Sequence, residues 1–279
     1  LTGARFTATY FGANGWLLQL GTLRVLVDPW LVGPLCFPPG PWLLEGRLPH
    51  GWPTPEGVDL LLLTQGLEDH CHRQTLGALP RTCPVVASPG AAQRCHDLGF
   101  EHVMSLQPGE THEHGGLTIQ ATAGAAVPSQ ENGYLLRHPS ARVYLEPHGF
   151  LSREAGLSPV DLVITPVLDL GLPLTGAFIE GRTVLPRLLE TLQPSVVMAS
   201  TTGGDVRFTG LLSRLFWAKG SLEDAKALVS ATLPTCRLID PEPGRAYNVL
   251  SLRGDRVVTP RDGSEGLKPS WYYGRQKLS

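Results

Sequence analysis

The residue types that could do chemistry crowd into one short stretch. Glu68-Asp69-His70-Cys71-His72 sets carboxylates, imidazoles and a thiol side by side. An Asp-His pair offers oxygen and nitrogen donors to a cation, or a proton acceptor beside a proton carrier. The stretch follows the apolar run Leu60-Leu61-Leu62-Leu63, which ends at Thr64. Apolar runs of about 4–8 residues read as buried strands, and ligands commonly sit where such strands end. A second candidate is His148, in Glu146-Pro147-His148-Gly149, again just past an apolar segment. A third is the polar run Ser200-Thr201-Thr202-Gly203-Gly204-Asp205. His112 and His114 alternate onto one face of a strand, but Glu110, Glu113 and Gly115-Gly116 around them mark a solvated hairpin end. His50, His96, His102 and His138 are isolated and read as surface or core residues. Cys71 beside His72 is not read as a nucleophile and its base, because a thiolate needs its partner in space and not merely in sequence.

Composition narrows the class. Across 279 residues, 42% are hydrophobic and 17% charged, enough apolar material for a sizeable core. A net charge of −2 without a Lys/Arg cluster argues against nucleic acid as a partner. No apolar run reaches the roughly 18–20 residues that span a bilayer, so no transmembrane segment is expected. The cysteines, Cys36, Cys71, Cys83, Cys95 and Cys236, are odd in number and lack CxxC spacing, which favours free thiols in a reducing compartment. With Gly 32 and Pro 25, many short strands and turns are expected, not a helix bundle.

The elements that must position these residues can be read in order. Strands are expected over 5–11, 16–20 and 23–27, with Ala13-Asn14-Gly15 as a turn and Asp28-Pro29 closing the third. The proline-dense segment 31–57 is expected to hold no regular element. A short helix over 73–78, a strand over 84–87 and a helix over 90–98 with Ser88 as N-cap follow. Strands are then read over 102–105, 111–120, 131–136, 142–145 and 161–165. A loop over 167–178, a helix over 181–192, a strand over 195–200, a helix over 222–232 and two strand-like segments complete the reading.

This order of segments resembles the metallo-β-lactamase fold superfamily, whose signature is a strand ending in Thr-His-x-His-x-Asp-His. Thr64, Asp69 and His70 match it; Gln65 and Leu67 stand at the first two histidines. The strand ending in Asp28-Pro29 is similar to the start of the lactonase-like branch, which includes ascorbate-6-phosphate lactonases. A third histidine of that branch falls at Ala126, a bridging aspartate at His148 and a last histidine at Ser200. The set Asp-Pro, Asp-His-Cys-His, Glu-Asn-Gly-Tyr, Glu-Pro-His-Gly and Ser-Thr-Thr-Gly-Gly-Asp also resembles a cyanobacterial and plant plastid type.

The resemblance implies an α/β fold, a four-layer αββα sandwich, over residues 1–258, with a polar tail at 259–279. It implies that the first metal site is lost and that Asp69, His70 and His148 hold one zinc, iron or manganese ion, or none. Asp69 and His70 are then the catalytic candidates, and Gln65, His72, Ala126, Ser200 and Asp205 line the cleft. The expected activity is mononuclear, metal-dependent hydrolysis of a small ester, lactone or phosphoester. The alternative is a pseudoenzyme, a binding or assembly protein for an unnamed partner. The plastid likeness implies a chloroplast protein, with a cytoplasmic one as the alternative.

Overall fold

The computed structural model describes residues 5–126, 130–152, 159–173 and 175–252. Apolar alternation explains how its layers form. The chain begins with strands β1 (Phe6–Gly12), β2 (Gly15–Leu20) and β3 (Leu23–Val27), an antiparallel meander. Two short strands follow, β4 (Leu35–Cys36) and β5 (Glu45–Arg47). Next come β6 (Leu60–Leu63), α1 (Arg73–Gly77), β7 (Val85–Ala87), α2 (Pro89–Asp97) and β8 (Val103–Ser105). The second half opens with β9 (Thr111–His114), β10 (Leu117–Ala126), β11 (Gln130–His138), β12 (Ala141–Leu145) and β13 (Leu162–Thr165). A hairpin of β14 (Asp169–Leu172) and β15 (Gly176–Glu180) leads to α3 (Gly181–Leu192) and β16 (Val196–Ala199). The chain then runs through β17 (Arg207–Thr209), β18 (Trp217–Lys219), α4 (Leu222–Thr232), β19 (Arg237–Ile239) and β20 (Ala246–Asn248).

Two seven-stranded sheets result, ordered β20-β1-β2-β3-β6-β7-β8 and β19-β16-β13-β12-β11-β10-β9. Successive strand side chains point to opposite faces. Leu60 and Leu62 therefore enter the core between the sheets, with Phe6, Trp16, Ile119, Tyr134, Ile164 and Met198. Leu61 and Leu63 face outward onto Leu76, Ala91 and Cys95 of the α1 and α2 layer. Tyr144, Val163 and Val197 meet Leu185, Leu188, Leu189 and Val229 of α3 and α4 in the same way. This is the expected four-layer αββα sandwich, with Leu60–Leu63 and Val196–Ala199 in opposite sheets. Truncating a fully buried leucine such as Leu62 to Ala should cost about 2–5 kcal/mol.

Two expectations need correction. Segment 31–57 is not free of regular structure: β5 pairs with both β4 and β17 in a three-stranded sheet. The stretch 167–178 is not a plain loop either, since β14 and β15 form a hairpin there, extended by β18. Ser88 starts α2 in extended backbone but makes no side-chain cap bond, whereas Ser221 accepts from the Asp224 amide as a cap should. The expected tail at 259–279 lies outside the described residues.

Candidate metal centre

The parallel strands β3, β6, β12, β13 and β16 end on the same side of the sandwich, and their last residues build the site. Asp28 follows β3 with a left-handed backbone (φ 39°) and is buried. Its Oδ1 accepts from the Thr64 amide (2.8 Å) and its Oδ2 from the Thr64 hydroxyl (2.5 Å). Thr64 then leads into a turn in which the His70 and Cys71 amides donate to the Leu67 carbonyl. That turn brings His70 Nδ1 within 2.9 Å of Asp28 Oδ2, so a buried carboxylate fixes the ring and leaves Nε2 to point onward. Nε2 lies 3.2 Å from Asn14 Nδ2 and 3.3 Å from Asp69 Oδ2.

The other sheet supplies the facing residues. Asn132 ties β11 to the end of β6: its amide donates to the Thr64 carbonyl and its side chain to the Leu106 carbonyl. The Tyr134 hydroxyl donates to the Leu63 carbonyl. Glu131 is thereby set opposite His70. At the end of β12, Glu146 Oε2 accepts from the His148 and Phe150 amides and closes the Glu-Pro-His-Gly turn. Glycine is required here twice. A Cβ on Gly133 would fall 2.7 Å from Thr122 Oγ1 and 3.1 Å from Glu146 Cγ, so Gly133 lets Glu146 cross β11. Gly149, with φ 75°, lies where a Cβ would be 2.5 Å from the backbone at the start of α3.

His148 consequently stacks on His70, ring centroids 5.4 Å apart, with its Nδ1 2.6 Å from Glu131 Oε2. The ligand atoms of His70, Glu131 and His148 all lie within 4.8 Å of one another, and all three residues are buried. Zinc bonds of about 2.0–2.2 Å put opposed donors at most about 4.4 Å apart, so this set fits one ion with little adjustment. Two imidazoles and a carboxylate are also a donor set for iron and manganese. Beside the cluster, Asn14, Trp16, Val27, Asp28, Glu146 and Ser200 help line a cavity of about 10 Å³, room for about one water.

The electrostatics show what these buried charges do to one another. Burial pushes Glu131 up to about 9, with His70 pulling it down and Asp69 and Asp28 pushing it further up. Burial, aided by the charge on His70, drives His148 down to about 4. Burial raises Glu146 to about 7. For His70, burial favours the neutral ring, but Asp69 and Asp28 outweigh it and hold its pKa well above the usual imidazole value. Burial likewise raises Asp69, yet His70 outweighs it and the net shift is downward. A cation bound here would stabilise the ionised forms of Glu131 and Glu146 and would displace the proton that Asp28 and Asp69 hold on His70.

The expected site residues separate into two groups. Asp69, His70 and His148 come together. Gln65 is buried at the edge of the same cluster, in hydrogen-bonding reach of Glu131. Ser200 is buried, accepts from Trp16 Nε1 (3.0 Å) and lines the small cavity. His72 instead caps α1, its Nδ1 accepting from the Thr75 amide, with Nε2 3.3 Å from the Pro34 carbonyl. Ala126 is exposed at the end of β10, opposite Gln130. Asp205 is exposed, and the groups that feel its charge are Tyr10 and Asp240, not the cluster. Sequence reading passed over Glu131 as a ligand, Asp28 as the partner of His70, and Asn14. The signal for Glu131 is a carboxylate three residues ahead of the buried run Tyr134-Leu135-Leu136 with no turn between.

Residues 7–200 match the model of a family described as the beta-lactamase superfamily domain. Solved structures with the same architecture include isothiocyanate hydrolase from Delia radicum gut bacteria, at 17% identity and TM-score 0.60, covering 86% of this chain and 98% of that one. A metallo-beta-lactamase fold protein from Bacillus subtilis, YhfI, matches at 12% identity and TM-score 0.58, over 88% and 99%. CmlA, a diiron beta-hydroxylase from Streptomyces venezuelae, matches at 18% identity and TM-score 0.60, over 88% of this chain and 55% of that one. Among curated proteins none matches.

Proposed function

We propose, from the premise that this chain belongs to the beta-lactamase superfamily, that it is a hydrolase using one metal ion held by His70, Glu131 and His148. The observation that carries this reading is the convergence of three buried ligand atoms within 4.8 Å. Zinc, iron or manganese suits the donors. When bound, such an ion activates water at neutral pH and polarises a scissile ester, lactone or phosphoester. The chain's own residues do the rest. Asp28 and Thr64 orient His70, and Glu146 holds the turn that presents His148. Asp69, with its side chain 23% exposed, is placed to meet substrate or pass a proton outward from beside His70 Nε2.

The Asp28-Pro29 strand end supports placing the chain in the lactonase-like branch, and the plastid-type motifs support a chloroplast location. Residues 1–258 are read as one domain with 259–279 as its tail. A non-catalytic binding protein is a weaker reading, because burying Glu131 and Glu146 beside two histidines costs free energy that a bound cation would offset.

The test is metal content and turnover together. Protein purified without added metal, then loaded with zinc, iron or manganese, should hold one equivalent and cleave an activated ester or phosphoester until a chelator is added. His148→Ala should lose both. Finding no metal after loading would overturn the reading.

A further inference from the structure

The geometry points to Asn14 as a further metal ligand, one that turns its amide when the ion arrives. This rests on the metal reading above and extends it to a residue of the β1–β2 turn. The amide head of Asn14 lies against the atom that matters: Nδ2 is 3.2 Å from His70 Nε2. Its remaining bond, to the Asp69 carbonyl, is 3.3 Å, at the long end of the hydrogen-bond range. Asn14 is only 4% exposed, and its Oδ1 is buried with no hydrogen-bond partner among the described residues. Glu146 Oε1 is buried in the same condition, and both residues line the same small cavity. Two acceptors therefore share that cavity and no side-chain donor meets either of them.

A cation on His70 Nε2 repels the amide NH2 beside it and attracts an amide oxygen. Nitrogen and oxygen sit on the same carbon, so a half-turn about the last side-chain torsion exchanges them. The turn gives Oδ1 to the ion and sends the NH2 toward the cavity, where Glu146 Oε1 lacks a donor. One rotation gives Oδ1 the ion as partner and turns the NH2 into the cavity that Glu146 also lines, at the expense of one long hydrogen bond. The donor set becomes two nitrogens and two oxygens. Such a set leaves a position for water on a zinc ion that expands to five-coordinate, and two positions on a six-coordinate manganese or iron ion.

Chelator competition measures the affinity of the whole chain for Zn2+ and Mn2+ without recourse to turnover. Asn14→Ala should weaken binding at least about tenfold, since even indirect supporting partners are worth 10–100-fold. Asn14→Asp, which keeps an oxygen in place, should bind as tightly as the parent or more tightly. Melting of the metal-free proteins separates a lost ligand from a damaged turn. In the parent, the Asn14 side-chain amide resonances should shift on Zn2+ loading and vanish on Mn2+ loading. Unchanged or tighter binding by Asn14→Ala overturns the inference and leaves the hydrolase reading standing. Absence of metal binding by the parent sinks both.

Discussion

Gln65, Leu67 and Ala126, which the resemblance sets against three imidazoles, carry no ionisable group: Leu67 and Ala126 have no donor atom, and Ala126 is exposed at the end of β10. By contrast, Asp28, Asp69, Glu131 and Glu146 crowd around His70 and His148. Had metal binding simply decayed, both sides would be expected to fill with apolar residues, because an unrelieved buried carboxylate is costly. The charged side also carries strained backbone, with Asp28 at φ 39° and, next to Ser200, Thr201 at φ 67°. Such conformations cost about 1–3 kcal/mol each and persist where function holds them. The contrast teaches that the buried ionisable groups of the cleft gather at one point, around His70, Glu131 and His148.

The largest effect should come from cutting the hub of the charged side. His70→Ala leaves Asp28 buried without its imidazole, and breaking a buried pair costs about 3–5 kcal/mol. Denaturant unfolding should show that loss, together with loss of the metal. A variant of full stability would mean the charged side is no more demanding than the uncharged one.

Next in size is Glu131→Gln, which keeps the shape and removes the anionic donor. Metal affinity should fall at least about tenfold in a chelator titration. Unaltered affinity would hand the carboxylate role back to Asp69 alone.

Glu131 also shows where sequence legibility ends. The buried strands were legible because runs such as Leu60–Leu63 and Val196–Ala199 declare themselves by hydrophobicity alone. Asp69, His70 and His148 were legible because each follows such a run. Strands β5 and β17 were not, because each is three residues long and exists through a partner far along the chain. Glu131 looks like an ordinary polar strand residue until Asn132 is seen bonding across to Leu106 and Thr64. Asn14 reads as a turn residue, and its position over His70 follows from how the meander closes on β6. What was missed is set by contacts between segments far apart in the chain, which no local pattern encodes.

The two sides should also differ in how pH acts on them. Glu131 is raised to about 9 in the fold against about 4.5 for an ordinary carboxyl. The metal-free native state therefore holds a proton that the unfolded chain has released. Stability from this group is full below about pH 4.5 and is lost as pH climbs toward 9. His148, lowered to about 4, acts oppositely and removes stability as pH falls through 6.5 toward 4. Metal-free protein should melt lower at pH 9 than at pH 7, and Glu131→Gln or metal loading should flatten that slope. A parental slope identical to that of Glu131→Gln would place the titration elsewhere.

The smallest effect belongs to the uncharged side. Ala126 is exposed, at the end of β10 where the register with β11 shifts between Ala123 and Ala126. An added imidazole there displaces no core atom, and surface changes of that kind usually stay within about 0.5 kcal/mol. Ala126→His should leave melting temperature and metal stoichiometry as they are in the parent. A second equivalent of zinc in that variant would break the comparison, because it would mean the uncharged side lacks a single ligand and not a site. No change is the result that keeps the two sides distinct, since a lone imidazole on a strand end cannot hold an ion that its neighbours do not share.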